Sequence, residues 1–397
     1  LATLAMVLVN PDEALKVFIF STALSLPLIG KNIKHVCSNK QNLVLPVMLL
    51  LFGLLQIIWV EVFKQSGSAF TGAYRSYQNG GKVMIFAALV MTALTTREPC
   101  ANKTRITSLW TILTAVGLYL FAGYEAAGAP DIMTYRVALG FEHQTGTAYA
   151  LTLIALLASQ AIINLRLKHT VALYLLHFLI SLAVIITTQT RAAILVYPIL
   201  SVGLFLMYYR HNRTMLLRAL LGFVILVGVA AIPLKPIIES RYQNFLVDLH
   251  SYNQDNSNTS IGARLAMQRA GIESGKGHYW GQSLEQRGAE IQRLAVQDTS
   301  LQGALEFINV HLHNEIVDTF SLKGIPGVVV LLLLYTAMFL IAYWQRSPLL
   351  FVVSGAIAVY GLSDLLLYAK GEALSSVLAL CVAAVLSSNP TRERCHG

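Results

Sequence analysis

Residues 170–209 read TVALYLLHFLISLAVIITTQTRAAILVYPILSVGLFLMYY. The one formal charge in this stretch is Arg191, in a polar turn between two apolar runs. A bilayer core about 30 Å thick is crossed by roughly 20 mostly apolar residues in a helix. Inside lipid each backbone N–H and C=O must pair within its own segment, which a helix achieves alone. Barrel strands would alternate with period two and be about half as long. The stretch therefore reads as a hairpin of two spans, Thr170–Thr188 and Ala192–Tyr209.

Runs of the same kind continue in both directions: Ala14–Gly30, Asn42–Phe63, Lys82–Thr95, Ile106–Gly123, Thr147–Asn164, Met215–Ile232, Ile325–Tyr343, Pro348–Leu367 and Ala373–Leu386. The apolar Leu1–Val9, ending at Asn10-Pro11-Asp12-Glu13, reads as a trimmed further span, which brings the expected total to about 12. There is no basic n-region and no small-residue cleavage site, so no signal peptide is expected. Charged residues make up 12% of the 397 and hydrophobic ones 55%, against a charged share of about 25% in soluble domains. The predicted class is all-α, a polytopic transmembrane helical protein.

Lys and Arg in short loops are retained on the cytoplasmic side. One set of alternate loops, with the C-terminal tail, holds fourteen: Lys31, Lys34, Lys40, Arg97, Lys103, Arg105, Arg166, Lys168, Arg210, Arg213, Arg218, Arg346, Arg392 and Arg394. The other set holds six: Lys64, Arg75, Lys82, Arg136, Arg191 and Lys370. The first set is therefore cytoplasmic. The net charge of +9 follows largely from topology, and no nucleic-acid partner is needed to explain it. Cys37, Cys100 and Cys395 fall on the cytoplasmic side and Cys381 inside a span, so no outer disulfide is expected.

The same topology puts one long polar segment outside. Leu234–Asn314 holds seven Lys or Arg and eight Asp or Glu. Ile261–Ser274 and Leu284–Leu305 have helical apolar spacing, Gly275, Gly277 and Gly281 mark turns between them, and Ser251–Ser260 reads as a flexible loop. The expected organisation is membrane helices over 1–232, a helical cap on the outer (periplasmic) side over 233–314, and C-terminal helices with a short tail over 315–397.

Several outward residues could carry chemistry. Arg191 stands at membrane depth, where a charge pairs, binds an anion, or snorkels to the headgroups. Arg264 and Arg269 are five apart and would splay by about 140° on one helix, so they form no single clamp; Arg269 reads as a solvated helix charge, and Arg264 suits a phosphate equally well. His311 and His313 precede the return to the membrane. On a helix they would diverge by about 200°, and with no third Cys or His nearby no metal is expected. A neutral His beside an anion site suits a general base, while Asn314 could cap the next helix. Arg136 and His143 belong to a glycine-bearing outer loop suited to a sugar or a headgroup. Asp364 is an intramembrane carboxylate, a ligand group or a packing hydrogen bond. Arginines and a histidine without a carboxylate cluster suit an anionic ligand held by bidentate forks, not a metal held by an Asp-rich motif.

Four of these motifs carry a family resemblance. Thr190-Arg191-Ala-Ala after an apolar span resembles the Ser/Thr-Arg-Gly/Ala motif of the O-antigen ligase and polymerase superfamily. Ala263-Arg264, followed by His278-Tyr-Trp-Gly281-Gln-Ser, is similar to its second Arg motif, although Met267 or Gln268 stands where the family carries Trp. His311-Leu-His313-Asn314 resembles its His-Asn motif, with His313 the match, and Gly140-Phe-Glu-His143 a diverged outer loop. Length, layout and the single large outer loop most resemble the ligase branch.

The resemblance implies an inner-membrane enzyme of Gram-negative bacteria with a periplasmic site. It would move O-antigen from undecaprenyl diphosphate to a sugar hydroxyl of lipid A–core, with inversion. Arg191 and Arg264 would hold the diphosphate and His313 would act as base. His311, Asn314, Arg136, His143, Arg269 and Asp364 would line the substrates. No cofactor is implied; the implied partners are the two glycolipids and the surrounding membrane lipids. An O-antigen polymerase and a protein O-oligosaccharyltransferase differ from this in acceptor only. A secondary transporter would instead show inverted repeats and broken spans in matching positions, and the two halves of this chain lack that self-similarity.

Overall fold

A computed structural model describes residues 1–38, 40–96, 101–130, 135–253, 257 and 259–387. Among these the chain is helical, with no strand. It runs α1 (Ala2–Met6), α2 (Pro11–Lys31), α3 (Ile33–Ser38), α4 (Lys40–Phe63), α5 (Thr71–Thr95), α6 (Ala101–Ala127), α7 (Gln144–Asn164) and α8 (Thr170–Thr187). It continues through α9 (Arg191–Tyr208), α10 (Arg213–Asn253), α11 (Ser260–Gly275), α12 (Leu284–Gln297), a 3-10 segment (Thr299–Phe307), α13 (Glu315–Trp344), α14 (Pro348–Gly361) and α15 (Lys370–Leu386).

Seven of the described helices are long and apolar enough to cross a membrane: α2, α4, α6, α7, α8, α9 and α13. The protein is thus a multi-pass membrane protein by length and composition. α7 is buried along its whole apolar length, as expected of a helix that is apolar on all sides; the other spans turn a face outward.

The remaining segments read as spans differ for local reasons. Leu1–Val9 yields only the short α1, with Leu4, Val7 and Leu8 fully buried. The following Asn10-Pro11 is a helix start, because Asn10 accepts from the N–H groups of Asp12 and Glu13 and Pro11 needs no donor of its own. The apolar run Lys82–Thr95 is the second half of α5, whose first half carries Arg75 and Asn79. Pro348–Leu367 is divided, since α14 ends at Gly361 and a turn carries residues 362–369. Met215–Ile232 continues without interruption into α10 as far as Asn253, so the expected loop at Ser251–Ser260 begins helical; the described part of its remainder is Ser257, Thr259 and Ser260. Arg97, Arg392, Arg394, Cys100 and Cys395, used for orientation, lie outside the described residues.

The polar segment after α10 has its own core. Met267 and Ala270 of α11 pack with Ile291 and Ala295 of α12 and with Leu301, Ile308 and Leu312. Of the two residues that could stand at the resembled family's Trp position, Met267 is 1% exposed and packs in this core, while Gln268 is half-buried. Phe70 and Val317 join this core to the bundle.

The segment is also plugged into the bundle. α13 is broken at Gly324 (φ 61°, ψ −156°), a conformation natural to glycine. The loop 278–283 fills the break: Ile325 N–H donates to the Tyr279 carbonyl at 2.9 Å, and Gln282 N–H to the Leu322 carbonyl at 2.9 Å. The buried Gln282 amide also donates to the carbonyls of Ser274 and Ser321 at 2.8 and 2.6 Å. The backbone groups that the break frees at Leu322 and Ile325 are thereby satisfied.

Candidate active site

The site is built on the first turn of α13. Asn314 caps the helix, its side-chain oxygen accepting from Ile316 and Val317 N–H at 3.1 Å. Its amide nitrogen donates to the Leu362 carbonyl at 3.1 Å. One residue on, a carboxylate oxygen of the buried Glu315 accepts the Leu367 N–H at 2.5 Å, and the other accepts the Tyr335 hydroxyl. Asn314 and Glu315 together fix the turn 362–369, which carries Asp364.

Asp318, one turn further, fixes the opposite wall. One of its oxygens accepts both Arg287 at 2.8 Å and the Leu312 N–H at 3.1 Å, and the other accepts the Tyr77 hydroxyl at 2.6 Å. Arg287 is fully buried and also donates to the Val310 carbonyl at 2.9 Å. Residues 310 and 312 are thus held on either side of His311. Below them the Lys323 ammonium lies 4.3–4.7 Å from the ring centres of Trp59, Tyr77 and Tyr368.

These two walls bring His311, His313 and Asp364 together. His313 takes the left-handed backbone conformation (φ 48°), sparsely populated for a side-chain-bearing residue. Its Nδ1 lies 3.1 Å from Asp364 Oδ1. His311 Nε2 lies 3.8 Å from the same oxygen, and the two rings are 4.4 Å apart, nearly perpendicular. His311 Nδ1 accepts the His313 backbone N–H at 3.4 Å, so the His311 proton belongs on Nε2, toward Asp364. The His311 side chain keeps 28% of its surface exposed, yet its remaining sides are packed in protein; that desolvation pushes its pKa down to about 4, against the pull of Asp364. Burial raises the Asp364 carboxyl, but the hydrogen bond from His313 and the two facing imidazoles hold it down at about 2. No third Cys or His stands beside the histidines among the described residues, but Asp364 does, with all three ligand atoms within 4.8 Å of one another. Asp364 is already engaged by His313 in this arrangement.

The other sequence candidates divide. Arg264, on α11, has no hydrogen bond or ion pair among the described residues, and its charge reaches the Tyr149 hydroxyl. That hydroxyl is 3.1 Å from Ser363 Oγ, beside Asp364. Arg191 is the first residue of α9, stands two residues after Gln189, which takes the left-handed conformation, and is likewise without a partner among the described residues. Arg136 donates to the Thr188 carbonyl at 3.1 Å, tying the 135–138 strip to the turn before Arg191. Arg269 pairs with Asp298 at 3.0 Å and donates to Ser300, an exposed structural contact. Asn314 is occupied at both ends of its amide. His143 precedes α7 and lines a cavity of about 630 Å³ with His311, Arg75, Tyr77, Lys370 and Glu372. Arg191, Arg264 and His313 do not line this cavity.

The fold and this cluster define a multi-pass helical membrane protein with two His and an Asp gathered around the start of α13. The family described as O-antigen ligase matches residues 176–332. The chain is also 34% identical over 366 residues to a protein of Escherichia coli (strain K12) named O-antigen ligase, covering 92% of this chain and 85% of that one. The chain belongs to the O-antigen ligase family.

Proposed function

We propose that the chain transfers O-antigen from undecaprenyl diphosphate to a sugar hydroxyl of lipid A–core, at the periplasmic face of the inner membrane. About 12 spans and a periplasmic cap over 233–314 belong to this reading. The observation that carries the chemistry is the 3.1 Å contact between His313 Nδ1 and Asp364. A carboxylate at Nδ1 keeps the proton there, orients the ring, and leaves the Nε2 lone pair free as a base. His313 Nε2 takes the proton of the acceptor hydroxyl as its oxygen bonds to the anomeric carbon. The bond from that carbon to the diphosphate breaks, undecaprenyl diphosphate leaves with the electron pair, and the anomeric centre inverts.

The leaving diphosphate needs fixed positive charge. Arg191 and Arg264 are assigned this role, and their lack of hydrogen bonds and ion pairs among the described residues supports it. Arg191 also opens α9, whose first N–H groups have no side-chain cap; a cation at that end is disfavoured by the helix dipole unless an anion joins it. The lipid A–core acceptor, rather than a second polyprenyl-linked glycan, is favoured by the name of the E. coli relative. The test is transfer in vitro with purified protein, undecaprenyl diphosphate glycan and a choice of acceptors, with and without EDTA. Transfer to lipid A–core that survives EDTA and is lost in His313→Ala is expected. Full activity in His313→Ala would remove the base from this scheme.

A further inference from the structure

A second cavity, of about 1300 Å³, opens at the opposite end of the bundle. α7 and α13 begin beside the residues around His313 and Asp364 and end at this cleft, where α9 also ends. The 21 residues of α7 place the two ends ~31 Å apart, about the thickness of a bilayer core. Arg105, Arg166, Arg210 and Arg346 line the cleft, and among the described residues no acidic one does. They come from four places in the chain: the first turns of α6 and the exits of α7, α9 and α13.

Topology and helix ends alone would supply positive charge here. They do not explain why, among the described residues, each Lys-or-Arg position that lines the cleft is an arginine. Lys103 and Lys168, each two residues from a lining Arg, stay outside it. Nor do they explain the backbone, since Arg166 (φ 50°) and Arg346 (φ 49°) both take the left-handed conformation, usually filled by Gly or Asn after a helix. Trp344 and Phe351 line the same cleft. Aromatic rings at a helix end belong to the headgroup level of a bilayer, and guanidinium forks match phosphate geometry.

We infer that this cleft binds the phosphodiester headgroup of an anionic phospholipid in the leaflet opposite the transfer site, with the acyl chains against its aromatic wall. With no carboxylate among the described residues of the cleft, a zwitterionic headgroup would leave its ammonium unpaired beside four guanidiniums. The site should therefore discriminate phosphatidylglycerol from phosphatidylethanolamine. The experiment is native mass spectrometry on the purified full chain with each lipid, and with sn-glycerol 3-phosphate as the soluble headgroup. Retention of phosphatidylglycerol about tenfold above phosphatidylethanolamine is expected, with a loss of about tenfold in the double variant Arg166→Gln/Arg346→Gln. Lys103→Gln/Lys168→Gln, which removes the same charge, should leave retention unchanged. Equal retention of the two lipids, equal loss in both double variants, or full competition by millimolar glycerol phosphate would overturn the inference. If the arginine variant does not fold, the lipid comparison on the unmodified chain and on Arg105→Gln decides the matter.

Discussion

One carboxylate oxygen of Asp318 accepts both Arg287 of α12 at 2.8 Å and the backbone N–H of Leu312 at 3.1 Å. A charge pair between the polar segment and α13 thus also sets the position of the histidine strand. Both side chains are fully buried, so removing either partner leaves an uncompensated charge, at a cost of about 3–5 kcal/mol. Asp318→Asn and Arg287→Met should each lower the thermal midpoint in detergent and reduce transfer. Combining Arg287→Met with Asp318→Leu should restore part of the stability without restoring transfer, because Leu312 stays unheld. Single variants as stable as the parent chain would mean that the pair does not brace the site.

The contact between His313 and Asp364 gives a sharper expectation. Loss of a general base lowers rate by about 10²–10⁴-fold, so His313→Ala should lose transfer by that order while keeping its thermal midpoint. Asp364→Asn keeps the shape but no longer fixes the proton on His313 Nδ1. It should act in the same direction, chiefly on kcat. A defect in Asp364→Asn confined to KM would point to a substrate contact instead.

How legible these groups were in the sequence depended on their surroundings. Arg191 and His313 stand out because they interrupt or border apolar spans, where polarity is costly. Asp364 was visible for the same reason, but its partner was not, since 51 residues separate it from His313 and one sequence carries no pairing signal over that range. Arg287 was missed in a segment already rich in charge. The available signal was its place on the apolar face of α12, with Leu284, Ile291 and Ala295 at helical spacing. The apolar run from Ile325 was legible, but not the break at Gly324 just before it, which the Tyr279 loop fills and which is a tertiary fact.

His311 supplies a pH dependence. Its folded pKa of about 4 lies below the ordinary histidine value of about 6.5. Between these values the unfolded chain binds the proton and the folded chain does not, so stability rises with pH across that window and flattens above it. The thermal midpoint should fall as pH is lowered from about 6.5 toward 4. In His311→Gln that slope should shrink. A slope as steep in His311→Gln as in the parent chain would assign the acid sensitivity to other groups.

Gly324 tests the plug. Its φ of 61° with ψ of −156° lies where essentially only glycine goes and costs a side-chain-bearing residue on the order of 1–3 kcal/mol, and an added Cβ would press on the Tyr279 carbonyl. Gly324→Ala should therefore destabilise by more than the conformational cost alone. It should also loosen the 278–283 loop, raising hydrogen exchange at Gln282 and Ile325, whose N–H groups cross the break. Unchanged exchange at those two amides would separate the break in α13 from the docking of the loop.

Arg191 separates charge from geometry. A lysine in its place keeps the charge but loses the planar fork that binds two phosphate oxygens at once. If Arg191 holds only a diffuse potential, Arg191→Lys should transfer normally. If it grips the leaving diphosphate, Arg191→Lys should lose transfer by about tenfold or more, with the loss in kcat because charge grows on the diphosphate only as the glycosidic bond breaks. The thermal midpoint should hardly move, since Arg191 makes no hydrogen bond or ion pair among the described residues that the substitution could break. Arg264→Lys should behave alike. Arg269→Lys, already paired with Asp298 at the surface, should transfer as the parent does, and a loss there equal to that in Arg191→Lys would show that these variants report net charge rather than a grip on the diphosphate.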